Sequence, residues 1–296
     1  MLETITLTAG EMTATVAPSL GGRITRFARA GVDLFTPVDD DATDPSGAIS
    51  GGCYPLVPWS NRIRDSRFTF EGTRVNLTPT EAASGSAIHG HGNRRAWTVA
   101  GVAGESVRLT YNHAAGAEGW PYPYQAEQTI HLSEEGLSMT LACTNTGDTR
   151  MPVGLGLHPY FPTHGDVGWW FAAGNAWPPV EGKFPTGATG IPERLNFSEP
   201  KPAVMGLDQG FGGWDGSAHL IWPKAGLGLS ITGGANLEHL IVYSPEDRDY
   251  FCVEPVSHAI DAVNLVMKDV EGTGFRVLDP KHRFAATVRF TVNLFN

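Results

Sequence analysis

Apolar and polar residues interleave with a period of two along most of this chain. Between residues 124 and 144, Ala126, Ile130 and Leu132 alternate with Glu127, Thr129 and His131; after Ser133-Glu134-Glu135-Gly136 come Leu137, Met139, Leu141 and Cys143. That spacing predicts a hairpin with one buried face and leaves His131 pointing outward. The last residues repeat the pattern, with Ala286, Val288, Phe290, Val292 and Leu294 set between Thr287, Arg289, Thr291 and Asn293. Residues 5–16 and 24–35 each read as two short strands, turning at Ala9-Gly10 and Ala30-Gly31, and further strands are expected over 219–222, 227–232 and 240–243. One short helix is expected at residues 244–249, where Ser244 would cap it and Pro245 would take its first position. Strands run from end to end without heptads, internal repeats or a boundary. The expectation is a single all-β domain over residues 1–296, built as a large antiparallel β-sandwich.

Two stretches interrupt the strands. Residues 39–52 turn rich in Asp, Gly and Ser and are expected to form a loop that overhangs a site, while Trp169, Trp170, Trp177 and the prolines up to Pro202 suggest a long excursion.

Composition narrows the partners. The 36 glycines and 21 prolines among 296 residues exceed average shares of roughly 7 and 5 per cent and indicate a turn-rich chain. A formal charge of -10 would repel phosphate backbones and argues against nucleic acid, and no run approaches the length of a membrane span. Cys53, Cys143 and Cys252 are odd in number and far apart, so neither a disulfide framework nor a thiolate metal site is suggested. Nothing at the amino end resembles a secretory signal, and the expected location is the cytoplasm. A small neutral ligand fits best.

The candidate chemistry centres on Glu254, which follows Tyr250-Phe251-Cys252-Val253 and precedes Pro255. The strand is expected to end there, freeing the carboxylate to face a cleft. A structural ion pair with Lys268 or Arg248 would explain the residue equally well, since a buried unpaired charge costs several kcal/mol, roughly. His158 stands in the same situation before Pro159, with Gly154 and Gly156 leaving space above it. Asn61-Arg62 lie in a segment of mixed aromatic, amide and guanidinium groups, and Asp208 sits beside glycines where a turn role is equally open. His89 and His91 would project to one side of an extended segment, a spacing compatible with metal ligands, although the intervening glycines favour a loop.

Taken together, Asn61-Arg62, His89-Gly90, His158 with Tyr160-Phe161, Asp208, and Glu254-Pro255 with Asp261-Ala-Val-Asn264 resemble the aldose 1-epimerase (mutarotase) family in order and local sequence over most of the chain. The resemblance implies a twisted galactose mutarotase-like supersandwich with an open sugar cleft. It implies an isomerase that interconverts α and β anomers of a free aldose with no metal or cofactor. In that reading Glu254 is the base, His158 the acid, and Asn61, Arg62, His89 and Asp208 hold the sugar, with Trp59, Trp97 or Tyr160 available to stack on it. His91 stands where the galactose-specific branch has glycine, and Leu157 where it has asparagine, which leaves the sugar open. A hexose-6-phosphate substrate would need a phosphate clamp, for which Arg64, Arg67, Arg74, Arg94 and Arg95 are available. A glycoside hydrolase using Glu254 and Asp208, and a noncatalytic sugar-binding module, are the rivals outside mutarotation.

Overall fold

The alternating segments assemble into two large antiparallel sheets in a computed structural model that describes residues 3–39, 41–44, 49–180 and 182–294. Among the described residues, the first sheet has ten strands. Its path runs Ile5–Ala9, Met12–Ala17, Arg23–Arg29, Cys53–Leu56, Gly156–Pro162, Tyr250–Val256, His239–Ser244, Leu207–Gly212 and Asn175–Trp177, with Val32–Asp33 beside Arg23–Arg29. The second has nine: Thr98–Ala103, Ser106–His113, Tyr124–Ser133, Gly136–Asn145, Arg283–Leu294, Leu227–Gly233, Ser217–Trp222, Gly168–Phe171 and Lys201–Pro202. The predicted hairpin is present in register, Leu132 facing Leu137 and Cys143 facing Ala126.

The core lies between the two sheets because one side chain in two from each strand points inward. Phe161 and Phe251 of the first sheet meet Phe290 and Trp169 of the second, with Phe161 5.5 Å from Phe251, Phe290 6.3 Å from Phe161 and Trp169 5.0 Å from Phe251, ring centre to ring centre. The outer face of the first sheet is buried in its middle as well, where Tyr54, Leu56, Tyr160, Ile241, Cys252 and Val256 form a second apolar cluster with Phe184 and Ile260.

Three expectations are corrected. Ser244 ends a strand and residues 245–249 turn without forming a helix; the α-helix stands instead at Ala262–Leu265, continued by a 3-10 turn at Val266–Lys268. Neither catalytic candidate ends its strand: Gly156–Pro162 runs on through Pro159 and Tyr250–Val256 through Pro255. The reason is local. Gly156 pairs with Val256 and Tyr160 with Cys252, but the ladder opens at the three positions between, where prolines have no N–H to contribute. The excursion after residue 168 is also less loose than its composition suggests, since it supplies a strand to each sheet, Gly168–Phe171 and Asn175–Trp177.

Candidate functional site

Ladder register places the central residues. With Gly156 opposite Val256 and Tyr160 opposite Cys252, His158 falls directly opposite Glu254. On either side, Tyr54 pairs with His158 and Ile241 with Glu254. One row across the outer face therefore reads Tyr54, His158, Glu254, Ile241; the row two residues along reads Tyr160, Cys252, Tyr243, Asp208. Successive residues of a strand alternate faces, so both rows present side chains to the same side.

His158 Nε2 lies 3.4 Å from Glu254 Oε1, and both side chains are buried. The imidazole packs against Tyr54 (4.6 Å) and Tyr160 (4.7 Å), whose own ring centres are 6.2 Å apart, so the two tyrosines flank it on adjacent sides. Arg23 lies over the Tyr54 ring, 4.4 Å from its centre, and donates to the Ile49 and Gly51 carbonyls. Among the described residues, none hydrogen-bonds to Glu254 Oε2 or His158 Nδ1. Neither Arg248, which lies against Asp247, nor Lys268 pairs with Glu254, so the structural ion pair is not formed and the carboxylate's partner is the histidine.

Burial, and then repulsion from Asp208, push the Glu254 carboxyl well above the usual carboxylate range, with Arg62 pulling the other way. Burial, and then His89 and Arg23, hold His158 well below an ordinary imidazole. Desolvation disfavours the charged form of each group. Both shifts favour the uncharged arrangement, a protonated carboxyl beside a neutral imidazole, over carboxylate and imidazolium; the two arrangements differ by the transfer of one proton within the pair.

Loops complete the cleft, whose volume is about 220 Å³. Asn61 and Arg62 enter from the short strand Arg62–Ile63, which pairs with Ala87–Ile88. Asn61 Oδ1 accepts from the Arg62 backbone N–H and from Nη1. The Asp261…Asn264 motif supports this segment from behind: Asp261 accepts from the Arg64 N–H, its own N–H donates to the Arg62 carbonyl, and Asn264 donates to Asp261 and to the Arg67 carbonyl. His89 takes a left-handed backbone, φ 64°, and its Nδ1 accepts from the Asn61 N–H at 3.2 Å. Burial, and then Arg62, lower His89 to about 3, so the ring is neutral and carries its proton on Nε2. Gly90 permits this turn: a Cβ there would stand 2.0 Å from the Val57 carbonyl oxygen. His91 turns the opposite way into the interior, bonded to the Tyr124 hydroxyl and stacked on His113 at 4.1 Å. The two histidines do not share a side, and His89 is the one in the cleft.

Asp208 lies at the rim, 3.4 Å from Lys183 Nζ and 3.9 Å from Arg62 Nη1. Glu81, Lys183, Tyr54 and Tyr243 also line the cleft and were not expected from the sequence. Glu81 sits among turn residues, and only the folded loop brings it to Arg62, whose Nε and Nη2 donate to its two oxygens at 2.7 and 2.6 Å. Trp59 and Trp97 are core residues away from the cleft; the aromatic rings at the site are tyrosines. Of the arginines offered as a phosphate clamp, Arg94 and Arg95 pair with Glu118, and Arg64, Arg67 and Arg74 line a separate groove with Lys268. His158, Cys252 and Glu254 offer ligand atoms within 4.8 Å of one another. Burial holds the Cys252 thiol well above its ordinary range, so in this set it is a protonated neighbour of the pair.

No helix among the described residues is long and apolar enough to cross a membrane. A family model described as Aldose 1-epimerase matches residues 3–291. The uncharacterized protein YphB of Escherichia coli K12 is 32% identical over 271 residues, covering 86% of this chain and 88% of that protein. The crystal structure of a candidate aldose 1-epimerase from Escherichia coli K12 superposes with a TM-score of 0.88 at 27% identity, covering 99% of both chains. That of a GalM/aldose epimerase homologue from C. elegans superposes with a TM-score of 0.84 at 20% identity over 99% of both chains, a likeness of fold.

Proposed function

The chain belongs to the aldose 1-epimerase family, and from that premise we propose that it interconverts the α and β anomers of a free, uncharged aldose. The observation that carries this is the His158–Glu254 pair, 3.4 Å apart at the floor of a cleft lined by hydrogen-bonding groups. Ring opening of a hemiacetal needs one base at the anomeric hydroxyl and one acid at the ring oxygen. With the shared proton on the imidazole, Glu254 takes the O1 proton through Oε2, the oxygen without a hydrogen-bond partner among the described residues. His158 delivers its proton to O5 as the C1–O5 bond breaks and C1=O1 forms. Rotation about C1–C2 turns the other carbonyl face to O5, and the reverse transfers close the ring. Each positioned transfer contributes roughly 10²-fold to 10⁴-fold. Arg62, neutral His89 through Nε2–H, and Asp208 hold the hydroxyls, so the ring waits in a reactive pose.

Neutral aldose is preferred over a sugar phosphate because the cations at this cleft already have carboxylates. Arg62 is held by Glu81, and Lys183 by Asp208. The glycosidase reading gains nothing from the geometry, since Glu254 is coupled to a histidine that such a reaction does not require. We take the chain as one domain over residues 1–296, in keeping with sheets that draw strands from its beginning, middle and end. Three buried cysteines without a disulfide are in keeping with a reducing cytoplasm.

Magnetisation-transfer NMR of glucose and galactose with catalytic amounts of protein tests the proposal. Exchange between α and β signals faster than in buffer supports it. Sugar binding without faster exchange would make the protein a binding module.

A further inference from the structure

We infer that Glu81 sets the preference of this cleft for uncharged over anionic sugars, a step that rests on the anomer-exchange reading above. Glu81 is held by a tight loop: its N–H donates to the Ser86 carbonyl, its own carbonyl accepts from Gly85 N–H, and Ser84 Oγ donates to its carboxylate. From that loop it takes the Nε and Nη2 donors of Arg62 in a bidentate pair. Arg62 holds its carboxyl down at about 2, so the charge is present throughout the neutral range.

That fork is the group an anionic sugar would seek. A guanidinium presents paired donors that fit a carboxylate or a phosphate in the same way, and here an internal carboxylate occupies them. The remaining charges at the cleft balance. Lys183 faces Asp208, His89 is neutral, and the His158–Glu254 pair holds a single proton. With Glu81 ionised the lining is neutral; without its charge the lining gains one positive unit and Arg62 regains two donors. Glu81 also borders an adjoining lobe of about 400 Å³, lined further by Arg23, Arg94, Tyr160, Tyr243 and Tyr250. In that lobe the Glu81 carboxylate stands against two guanidinium groups, so its loss would leave an anion carried there from a bound ring facing positive charge alone.

The test compares kcat/KM for anomer exchange of glucose, glucose 6-phosphate and glucuronate in wild type, Glu81→Gln and Glu81→Asp. Wild type is expected to discriminate against both anions, and less so at high salt, where the repulsion is screened. Glu81→Gln is expected to raise the anionic-to-neutral ratio at least about 10-fold, equivalent to about 1.4 kcal/mol. Glu81→Asp, which keeps the charge, should retain the wild-type ratio. A purely structural Glu81 predicts that Glu81→Gln lowers all three substrates by the same factor, and that result overturns the inference. So does wild type that turns over glucose 6-phosphate as readily as glucose, a measurement that needs no variant to fold. Wild type that exchanges no aldose removes the parent reading, and is distinguished by being silent on glucose itself.

Discussion

His158 and Glu254 face each other across two adjacent antiparallel strands, Nε2 3.4 Å from Oε1, at the place where the ladder between those strands opens. Both strands are paired on their other sides, to Cys53–Leu56 and His239–Ser244. The proposed acid and base are therefore spaced by sheet register rather than by loops, and the rings of Tyr54 and Tyr160 pack against the imidazole.

Glu254→Gln is expected to lower kcat for anomer exchange by at least roughly 10²-fold while sugar binding and the melting temperature stay near wild type. Glutamine keeps the shape and one acceptor but cannot take the O1 proton. Thermal melts, a sugar titration and NMR exchange rates on the same preparation check it. Normal turnover per folded molecule in a variant that melts early would take Glu254 out of the mechanism.

The pH profile of kcat/KM should be bell-shaped, falling on both sides. The active pair holds one proton; a second, added at low pH, removes the base, and loss of the last at high pH removes the acid. Because burial lowers His158 and raises Glu254, the acid limb should lie below 6.5, the ordinary imidazole value, and the alkaline limb well above the ordinary carboxylate value of 4.5. An acid limb centred at 6.5 or higher would mean that His158 titrates as though solvated.

Asp208→Asn should raise KM by about 10-fold through loss of a charged acceptor for the sugar. It should also draw the alkaline limb of the pH profile downward, since Asp208 is one of the groups that raise Glu254. Lys183, half exposed, is left to water. A change in KM with an unmoved alkaline limb would separate Asp208 from the electrostatics of the pair.

Acid should destabilise the fold before its carboxylates protonate. His89, His91, His113, His158, His239 and His258 are buried, and burial lowers all six, His89 to about 3, His91 to about 2 and His239 to about 4. Below 6.5 the unfolded chain binds protons that the native state refuses, so stability falls as pH falls. Glu254 and Asp261, raised rather than lowered, work in the opposite sense, as two groups against these six. Melting temperatures measured from about pH 8 to pH 5 should decline below about 6.5; a flat or rising curve would contradict the buried neutral histidines.

The alternation of apolar and polar residues made the sheets legible, because a strand declares its buried face every second residue. It could not show that Pro159 and Pro255 lie within strands. The rule that proline ends a strand assumes a ladder that needs every N–H, and this one opens beside them. Asn61, Arg62, His89, His158, Asp208 and Glu254 were legible through local motifs and do line one cleft. Glu81 and Lys183 were not, because their roles depend on where loops fold back. The His89–Gly90–His91 segment shows the limit most clearly. Spacing of two implies a shared side only in an extended chain, and the left-handed backbone at His89 and Gly90 sends the two rings apart.

The division of labour between strand and loop bears on how such a protein can change. His158 and Glu254 ride on interior strands locked by neighbours, while Asn61, Glu81, His89 and Lys183 come from connecting segments whose insertion or replacement leaves the sheet register untouched. Loop grafting between relatives should therefore retarget the sugar while sparing the proton-transfer chemistry. The reverse exchange, moving either central strand, would shift every row of the outer face at once.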